Sequence, residues 1–156
     1  MTKIMFVCHG NICRSPMAEF VMKKLVHEAG LDREFVTASS ATSTEEIGNP
    51  VYPPAREELA KHSISCKGKH AVQLRPDDYG RYDLFLLMDD RNLVNIRRIF
   101  RDDPDGKIHK LLDYVGIGGD ISDPWYTRDF NAAYADIYKG CEALLKMLND
   151  GQMSDR

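Results

Sequence analysis

The sequence lacks a long hydrophobic run and a leader-like start. No stretch approaches the roughly 20 apolar residues that a membrane-spanning helix needs, and no positively charged start leads into an apolar segment. We therefore expect a cytoplasmic protein that does not associate with a membrane. The 156 residues predict one domain over 1–156, with a tail at 150–156 that is open to disorder.

An excess of positive charge is also missing. The chain has 21 Lys and Arg residues against 24 Asp and Glu, a formal net charge of −3, and the two signs are interleaved along it. Because nucleic-acid binding depends on clustered cations that neutralise phosphates, we expect no nucleic-acid partner. No feature of the sequence predicts an assembly larger than a monomer or a weak dimer.

Cysteine is scarce and has no pairing pattern. The four cysteines, at 8, 13, 66 and 141, form neither a disulfide framework nor the paired spacing of a zinc site. We expect Cys66 and Cys141 to be buried structural residues. A dinucleotide-binding fold is disfavoured as well, because no G-x-G-x-x-G follows the first predicted strand.

The most informative segment is CHGNICRS, from Cys8 to Ser15, which directly follows the apolar run IMFV. That run is too short for a helix and lacks polar alternation, which predicts a strand buried on both faces. Ser15 and Pro16 predict the N-cap and first residue of a helix. Gly10 and Asn11 tolerate the positive φ of a tight loop. The loop's N–H groups are thus expected to form an anion cradle, or P-loop, at a helix N-terminus.

This arrangement suits attack by a thiolate on a bound phosphoryl group. Arg14 adds a planar fork that can hold two phosphate oxygens, and the helix N-terminus and guanidinium favour a charged Cys8 at neutral pH. The Ser15 hydroxyl could cap the helix, hydrogen-bond the sulfur, or do both. Since the cradle and Arg14 neutralise the phosphate, no metal or cofactor is expected. The predicted phosphate-binding residues are His9, Gly10, Asn11, Ile12, Cys13, Arg14 and Ser15.

The segment VCHGNICRSPMAE closely resembles the signature of the low-molecular-weight protein tyrosine phosphatases, and DPWY at 123–126 matches that family's late acid motif. The resemblance implies that Cys8 forms a phosphocysteine intermediate, that Arg14 binds the phosphoryl oxygens and that Asp123 donates a proton to the leaving group. Trp125 and Tyr126 either form walls for the aromatic ring of the substrate or pack against the last helix. The implied substrates are phosphotyrosine-containing proteins and small aryl phosphates.

Other positions of the family pattern match this sequence only in part. Asn11 and Ser39 match the pair that supports the family's loop, but Lys69 stands where the family has a histidine. Glu45 stands where the family often has an aromatic residue at the pocket rim, so substrate choice is expected to differ. Cys13 could trap an oxidised Cys8 as a disulfide under peroxide, which would make the enzyme redox-sensitive.

The rest of the chain alternates between strand and helix. Further strands are predicted at 35–38, 84–88 and 110–112, and helices at 52–62, 91–100 and from Phe130 onward. This pattern predicts an α/β fold, a doubly wound, Rossmann-like or flavodoxin-like sheet of about four parallel strands with helices on both faces. Ligands bind beyond the carboxyl ends of such strands, where Cys8, Ser39 and Asp89 are predicted to fall. Asp89 and Asp90 are interpreted mainly as helix caps.

Three other functions remain open on the same scaffold. Arsenate reductases of this type need a downstream cysteine pair, and the sequence has no cysteine between Cys66 and Cys141. Phosphoarginine phosphatases of the family carry Thr where this chain has Ile12. A non-catalytic phosphate-binding module would have no need of Cys8 and Asp123. The favoured prediction is a hydrolase, a cysteine-dependent protein tyrosine phosphatase.

Overall fold

The structure is a computed structural model that describes residues 1–116 and 118–154, without the side chains of 152–154. Its elements, in chain order, are β1 Thr2–Cys8, α1 Arg14–Glu28, β2 Phe35–Ala41, α2 Pro53–Lys61, α3 Asp78–Arg81, β3 Leu84–Leu87, α4 Asp90–Ile96, β4 Ile108–Lys110, a 3-10 helix at Leu111–Tyr114, α5 Pro124–Thr127 and α6 Phe130–Ser154.

The four strands form one parallel sheet in the order β2-β1-β3-β4. Strand β1 is buried because apolar residues occupy both of its faces. Ile4 and Phe6 belong to the core cluster that includes α1 and α6, whereas Met5 and Val7 belong to the cluster that includes Ile96 of α4. The predicted α/β fold, with a parallel sheet between two helical layers, is therefore confirmed.

Local boundaries differ from the prediction where tertiary packing decides them. The fourth strand lies at Ile108–Lys110 and not at 110–112, because Leu111 and Leu112 turn into the 3-10 helix and are buried. The predicted helix at 91–100 ends at Ile96. The four-residue helices α3 and α5 were not predicted, since one turn is too short for a hydrophobic period.

Several other expectations can be placed on the structure. Cys66 and Cys141 are buried, as predicted. No helix in the described part of the chain is both long enough and apolar enough to cross a bilayer. Helix α6 runs to Ser154, and 155–156 lie outside the described residues, so the tail at 150–156 stays a prediction.

Helix α6 approaches the 3-10 helix closely at Gly140. A Cβ atom at this position would lie 2.5 Å from Cγ of the buried Leu111. Only glycine leaves room for this contact, which joins the last helix to the end of the sheet.

We expect Gly140→Ala to lower the free energy of unfolding by about 1–2 kcal/mol, because overpacking against Leu111 outweighs the gain in helix propensity. Urea unfolding at equilibrium measures the change. Gly151→Ala is the matched control on the same helix, where a Cβ meets nothing within 4 Å and a small gain is expected. A Gly140→Ala protein as stable as the wild type would contradict the packing argument.

Candidate active site

The loop between β1 and α1 surrounds the sulfur of Cys8 with hydrogen-bond donors. The backbone N–H of Asn11 lies 3.3 Å from Cys8 Sγ, and the Ser15 hydroxyl lies 2.9 Å from it. Asn11 adopts the left-handed conformation, with φ of 60°, while Gly10 does not, so the positive φ expected for both residues occurs at one of them. The turn at Asn11 aims its N–H at the sulfur, so the loop presents hydrogen-bond donors to Cys8 Sγ.

Ser15 does not cap helix α1. The helix begins at Arg14, its N-cap is Cys13, and no side-chain hydrogen bond caps it. The capping interpretation of Ser15 is therefore wrong, and its hydroxyl instead contacts Cys8 Sγ and accepts a hydrogen bond from Asn11 Nδ2 at 2.7 Å. A serine inside the first turn has its side chain free for this contact because Cys13 already occupies the cap position.

A buried network holds Asn11 from the other side. Its Nδ2 also donates to Ser39 Oγ at 3.0 Å, and its Oδ1 accepts from the backbone N–H of Val72 at 3.1 Å. Asn11 and Ser39 are each about 1% exposed, so these bonds are shielded from water. The pairing of Asn11 with Ser39 that the sequence suggested is present in the structure.

The network ends in a buried ion pair that the sequence analysis did not identify. The Ser39 hydroxyl donates to Glu19 Oε1 at 2.6 Å, and Lys69 Nζ donates to the Ser39 carbonyl at 2.8 Å while lying 3.6 Å from Glu19 Oε1. Burial lowers the pKa of Lys69, and the charge of Glu19 opposes this. The signal for Glu19 was its place one turn after Ser15, on the buried face of α1, where a carboxylate needs a partner.

Arg14 lies beneath the loop and joins two carboxylates. Its Nη1 donates to Asp89 Oδ2 at 2.7 Å and to the Ile121 carbonyl at 2.8 Å, and its Nη2 lies 3.4 Å from Asp123 Oδ2. Burial lowers the pKa of Arg14, but the charges of Cys8, Asp89 and Asp123 outweigh it, so the pKa is above its usual value. The guanidinium is therefore a fixed positive charge under the cradle.

Asp89 has two roles. Its Oδ1 accepts from the backbone N–H of Asn92 at 2.8 Å, which caps α4 as predicted. Its other oxygen holds Arg14, a contact that sequence reasoning missed because 75 residues separate the two. Asp89 thus fixes the direction of the guanidinium as well as the start of α4.

Asp123 stands at the start of α5 with its side chain part-exposed. Its Oδ1 accepts from the backbone N–H of Trp125 at 3.0 Å, which leaves Oδ2 on the side of Arg14. The D-P motif therefore serves as a helix cap and also brings one carboxylate oxygen to the guanidinium that lies under Cys8. A carboxyl group so placed can exchange protons with a molecule held on the cradle.

A cavity of about 230 Å³ opens above Cys8. Trp125 and Tyr126 line it and are 45% and 73% exposed, so neither ring is buried against α6 and the packing alternative is wrong. The Trp125 ring instead contacts Tyr52, with ring centroids 4.9 Å apart. The full lining is Cys8, His9, Gly10, Ile12, Cys13, Arg14, Glu45, Glu46, Asp123, Trp125 and Tyr126.

Cys13 also lines this cavity, but as a neutral thiol. Burial raises its pKa to about 12, with the negative charges of Cys8 and Asp123 adding to the effect. A thiol that stays protonated is a poor nucleophile and metal ligand. Of the two loop cysteines, Cys8 is therefore the candidate nucleophile, and a redox role for Cys13 stays a prediction.

A larger cavity of about 520 Å³ lies elsewhere, between α2 and residues 63–70. It contains Cys66, whose pKa is raised by burial, although Arg56 opposes the shift. No carboxylate lines it among the described residues. In the described part of the chain its thiol therefore has no acid beside it, unlike Cys8 in the smaller cavity, and size alone does not make it the active site.

Comparisons with known proteins agree with this geometry. The chain matches the family model for low molecular weight phosphotyrosine protein phosphatase over residues 3–153. It is 36% identical over 147 residues to the low molecular weight protein-tyrosine-phosphatase YfkJ of Bacillus subtilis, covering 93% of this chain and 94% of that protein. The crystal structure of YfkJ matches with a TM-score of 0.93 at 35% identity, covering 97% of this chain and 96% of the other.

Two further relatives show the range of the similarity. The low molecular weight phosphotyrosine protein phosphatase of Gallus gallus is 35% identical over 150 residues, covering 92% of this chain and 93% of that protein. The crystal structure of DARP, a Drosophila arginine phosphatase, matches with a TM-score of 0.86 at 28% identity, covering 94% and 98% of the two chains. One fold is thus shared by enzymes named for two different phosphorylated amino acids.

We expect Lys69→Met to lower both stability and turnover of an aryl phosphate, because it leaves the buried Glu19 carboxylate without its buried partner and removes the donor to the Ser39 carbonyl. The loss of unfolding free energy is expected to be about 2–3 kcal/mol, below the 3–5 typical of a broken buried pair, since Lys23 still contacts Glu19. Denaturant unfolding and kcat measure the two effects.

Lys23→Met is the matched control, because it removes the other lysine that contacts Glu19. Lys23 is about half-exposed, whereas the Lys69 side chain is only 12% exposed. Exposed ion pairs contribute about 0–1 kcal/mol, so the control is expected to change little. Equal losses in the two variants would show that burial of Lys69 does not matter.

Proposed function

Because the chain belongs to the low-molecular-weight protein tyrosine phosphatase family, a family of cysteine-dependent hydrolases, we propose that Cys8, Arg14 and Asp123 carry its reaction. The observation that supports this assignment is the shared mouth of one cavity: a sulfur with two donors, a buried guanidinium beneath it, and a carboxylate 3.4 Å from that guanidinium. Each group has the chemistry that one step of phosphoryl transfer requires.

Substrate binding begins at the loop. The phosphate of a phosphotyrosine side chain accepts hydrogen bonds from the backbone N–H groups between Cys8 and Arg14 and neutralises the positive end of α1. Asp89 and the Ile121 carbonyl hold Nη1 of Arg14, which leaves Nε and Nη2, the latter 3.4 Å from Asp123 Oδ2, to meet the phosphoryl oxygens. Charge developing on those oxygens is thus met by donors already in position.

The first chemical step forms an S–P bond and breaks the bond from phosphorus to the phenolic oxygen. Cys8 Sγ attacks in line, and Asp123 gives a proton to the departing oxygen, so tyrosine leaves as a neutral phenol. In the second step a water attacks the phosphocysteine, Asp123 takes its proton, and the thiolate leaves. Ser15 and the Asn11 N–H stabilise the charge that returns to the sulfur.

The lining of the cavity favours an aryl phosphate. Trp125 and Tyr126 offer apolar surface to a phenyl ring, and Ile12, which is 9% exposed, lines the same space without a polar group. A phosphoarginine side chain would bring a cation and several N–H donors to these apolar walls. We therefore propose phosphotyrosine-containing proteins as the substrates.

We propose a cytoplasmic location, which suits the same chemistry. A thiolate nucleophile works only while it is reduced, and all four cysteines are free in the structure. This supports the cytoplasmic location that the sequence predicted. We also propose that the enzyme acts as a monomer or weak dimer without nucleic acid.

Cys8→Ser is expected to lower turnover of p-nitrophenyl phosphate by about 10³-fold or more while inorganic phosphate still binds, because the cradle and Arg14 remain. Release of p-nitrophenol in the presence of a chelator and calorimetric titration with phosphate measure the two properties. Cys66→Ser is the matched control, since it makes the same change in the other cavity and is expected to keep its activity. Turnover that survives Cys8→Ser would sink the proposal; wild-type arsenate reduction without phosphatase activity would favour the reductase.

Asp123→Asn is expected to slow turnover by about 10²-fold or more for phenyl phosphate, a poor leaving group, and by much less for p-nitrophenyl phosphate. A p-nitrophenolate needs no proton to leave, whereas a phenolate does. Asparagine keeps the shape and can still accept from Trp125 N–H. An equal loss for a series of leaving groups would remove Asp123 as the general acid.

A further inference from the structure

The charges at the mouth of the active-site cavity are unbalanced. Glu45, Glu46 and Asp123 line it with carboxylates, whereas the guanidinium among the lining residues, that of Arg14, is only 3% exposed. A bound phosphate would use that guanidinium and the loop N–H groups. The outer part of the mouth, where residues next to the phosphotyrosine must lie, therefore remains negative.

Contacts within the fold account for two of the three carboxylates. Asp123 caps α5 and contacts Arg14. Glu46 accepts from Asn49 Nδ2 at 2.6 Å, and its aliphatic carbons lie beside Gly10, where a Cβ would come within 3.4 Å of Glu46 Cγ. These contacts explain both side chains without a substrate.

Glu45 is different because its carboxylate faces outward. Its side chain is 69% exposed, and its one hydrogen bond from a side chain in the described residues comes from His9 Nε2, 3.1 Å from Oε2. His9 follows the nucleophile directly, so this contact holds the carboxylate next to the loop that binds phosphate. Arg128, a cation near the cavity, is engaged elsewhere: it lies over the Tyr52 ring and donates to the Tyr52 hydroxyl.

We propose that Glu45 is a specificity-determining residue that selects phosphotyrosines with a lysine or arginine beside them. This inference rests on the proposed function and names the substrate class of the same site. A basic side chain next to the phosphotyrosine can pair with the Glu45 carboxylate, whereas an acidic one is repelled by it and by the neighbouring carboxylates. The substrate class is thus a basic phosphotyrosine segment.

Matched phosphotyrosine peptides test the proposal. The peptides differ only in the two residues on each side of the phosphotyrosine, which are all lysine in one, glutamine in the second and glutamate in the third. The ratio of kcat/KM for the lysine and glutamate peptides is measured for the wild type, Glu45→Gln and Glu45→Lys. Taking the ratio within each protein cancels any change in reactivity common to all substrates.

The wild type is expected to prefer the lysine peptide by about five- to tenfold at low salt, since attraction and repulsion of exposed charges each contribute a few-fold. Glu45→Gln lowers the ratio at least twofold, because it removes the contribution of one exposed ion pair. Glu45→Lys lowers the ratio further, because it reverses the charge. Salt near 0.5 M brings all ratios toward one, because it shortens the screening length to about 4 Å. Glu142→Gln, the same change on the exposed face of α6, keeps the wild-type ratio.

Ratios that are the same in the wild type, Glu45→Gln and Glu45→Lys would overturn the proposal, and so would a wild-type preference for the glutamate peptide. Hydrolysis of p-nitrophenyl phosphate tests the proposed phosphatase function separately from the role of Glu45. Activity that depends on Cys8 together with flat ratios removes only the role of Glu45, whereas no activity in the wild type removes the proposed function and this inference with it.

Discussion

The side chain of Asn11 is the point on which the active-site loop depends. Its amide nitrogen holds Ser15 and Ser39, its amide oxygen holds the Val72 N–H, and its own backbone N–H points at the Cys8 sulfur. This set of bonds offsets the left-handed backbone that only a few residue types adopt readily. The donors around the sulfur are therefore in place before any substrate arrives, which is what electrostatic preorganisation requires.

The buried charges below the loop are also in position before substrate binds. Arg14 is buried between two carboxylates, and Glu19 is buried with Lys69, so each internal charge has an opposite partner. The hydration free energy of these charged groups is lost during folding. The guanidinium therefore does not have to leave water when phosphate binds. A surface arginine would be mobile and hydrated, and would bind the same anion more weakly.

The sequence predicted the parts of the site that are local in the chain. The strand, loop and helix around Cys8 are consecutive, so hydrophobic pattern and turn chemistry were enough to place them, as they were for the alternating sheet. The family resemblance supplied the distant partners Ser39 and Asp123, but two other contacts between distant segments were missed: Lys69 reaches Glu19 across 50 residues, and Asp89 reaches Arg14 across 75. Such pairs leave no periodic signal in one sequence. The exact end of β3 and the start of β4 leave no such signal either.

Because Asn11 bonds the loop to other segments, the loop is assembled before substrate arrives, and this affects how the enzyme responds to free phosphate. A cradle that is already assembled binds any tetrahedral dianion of the right size, including inorganic phosphate, the product of its own reaction. Thermodynamic linkage then makes the product a stabilising ligand as well as a competitor of the substrate. The cell's phosphate concentration would therefore set, through one site, both the fraction of enzyme free to act and its resistance to unfolding.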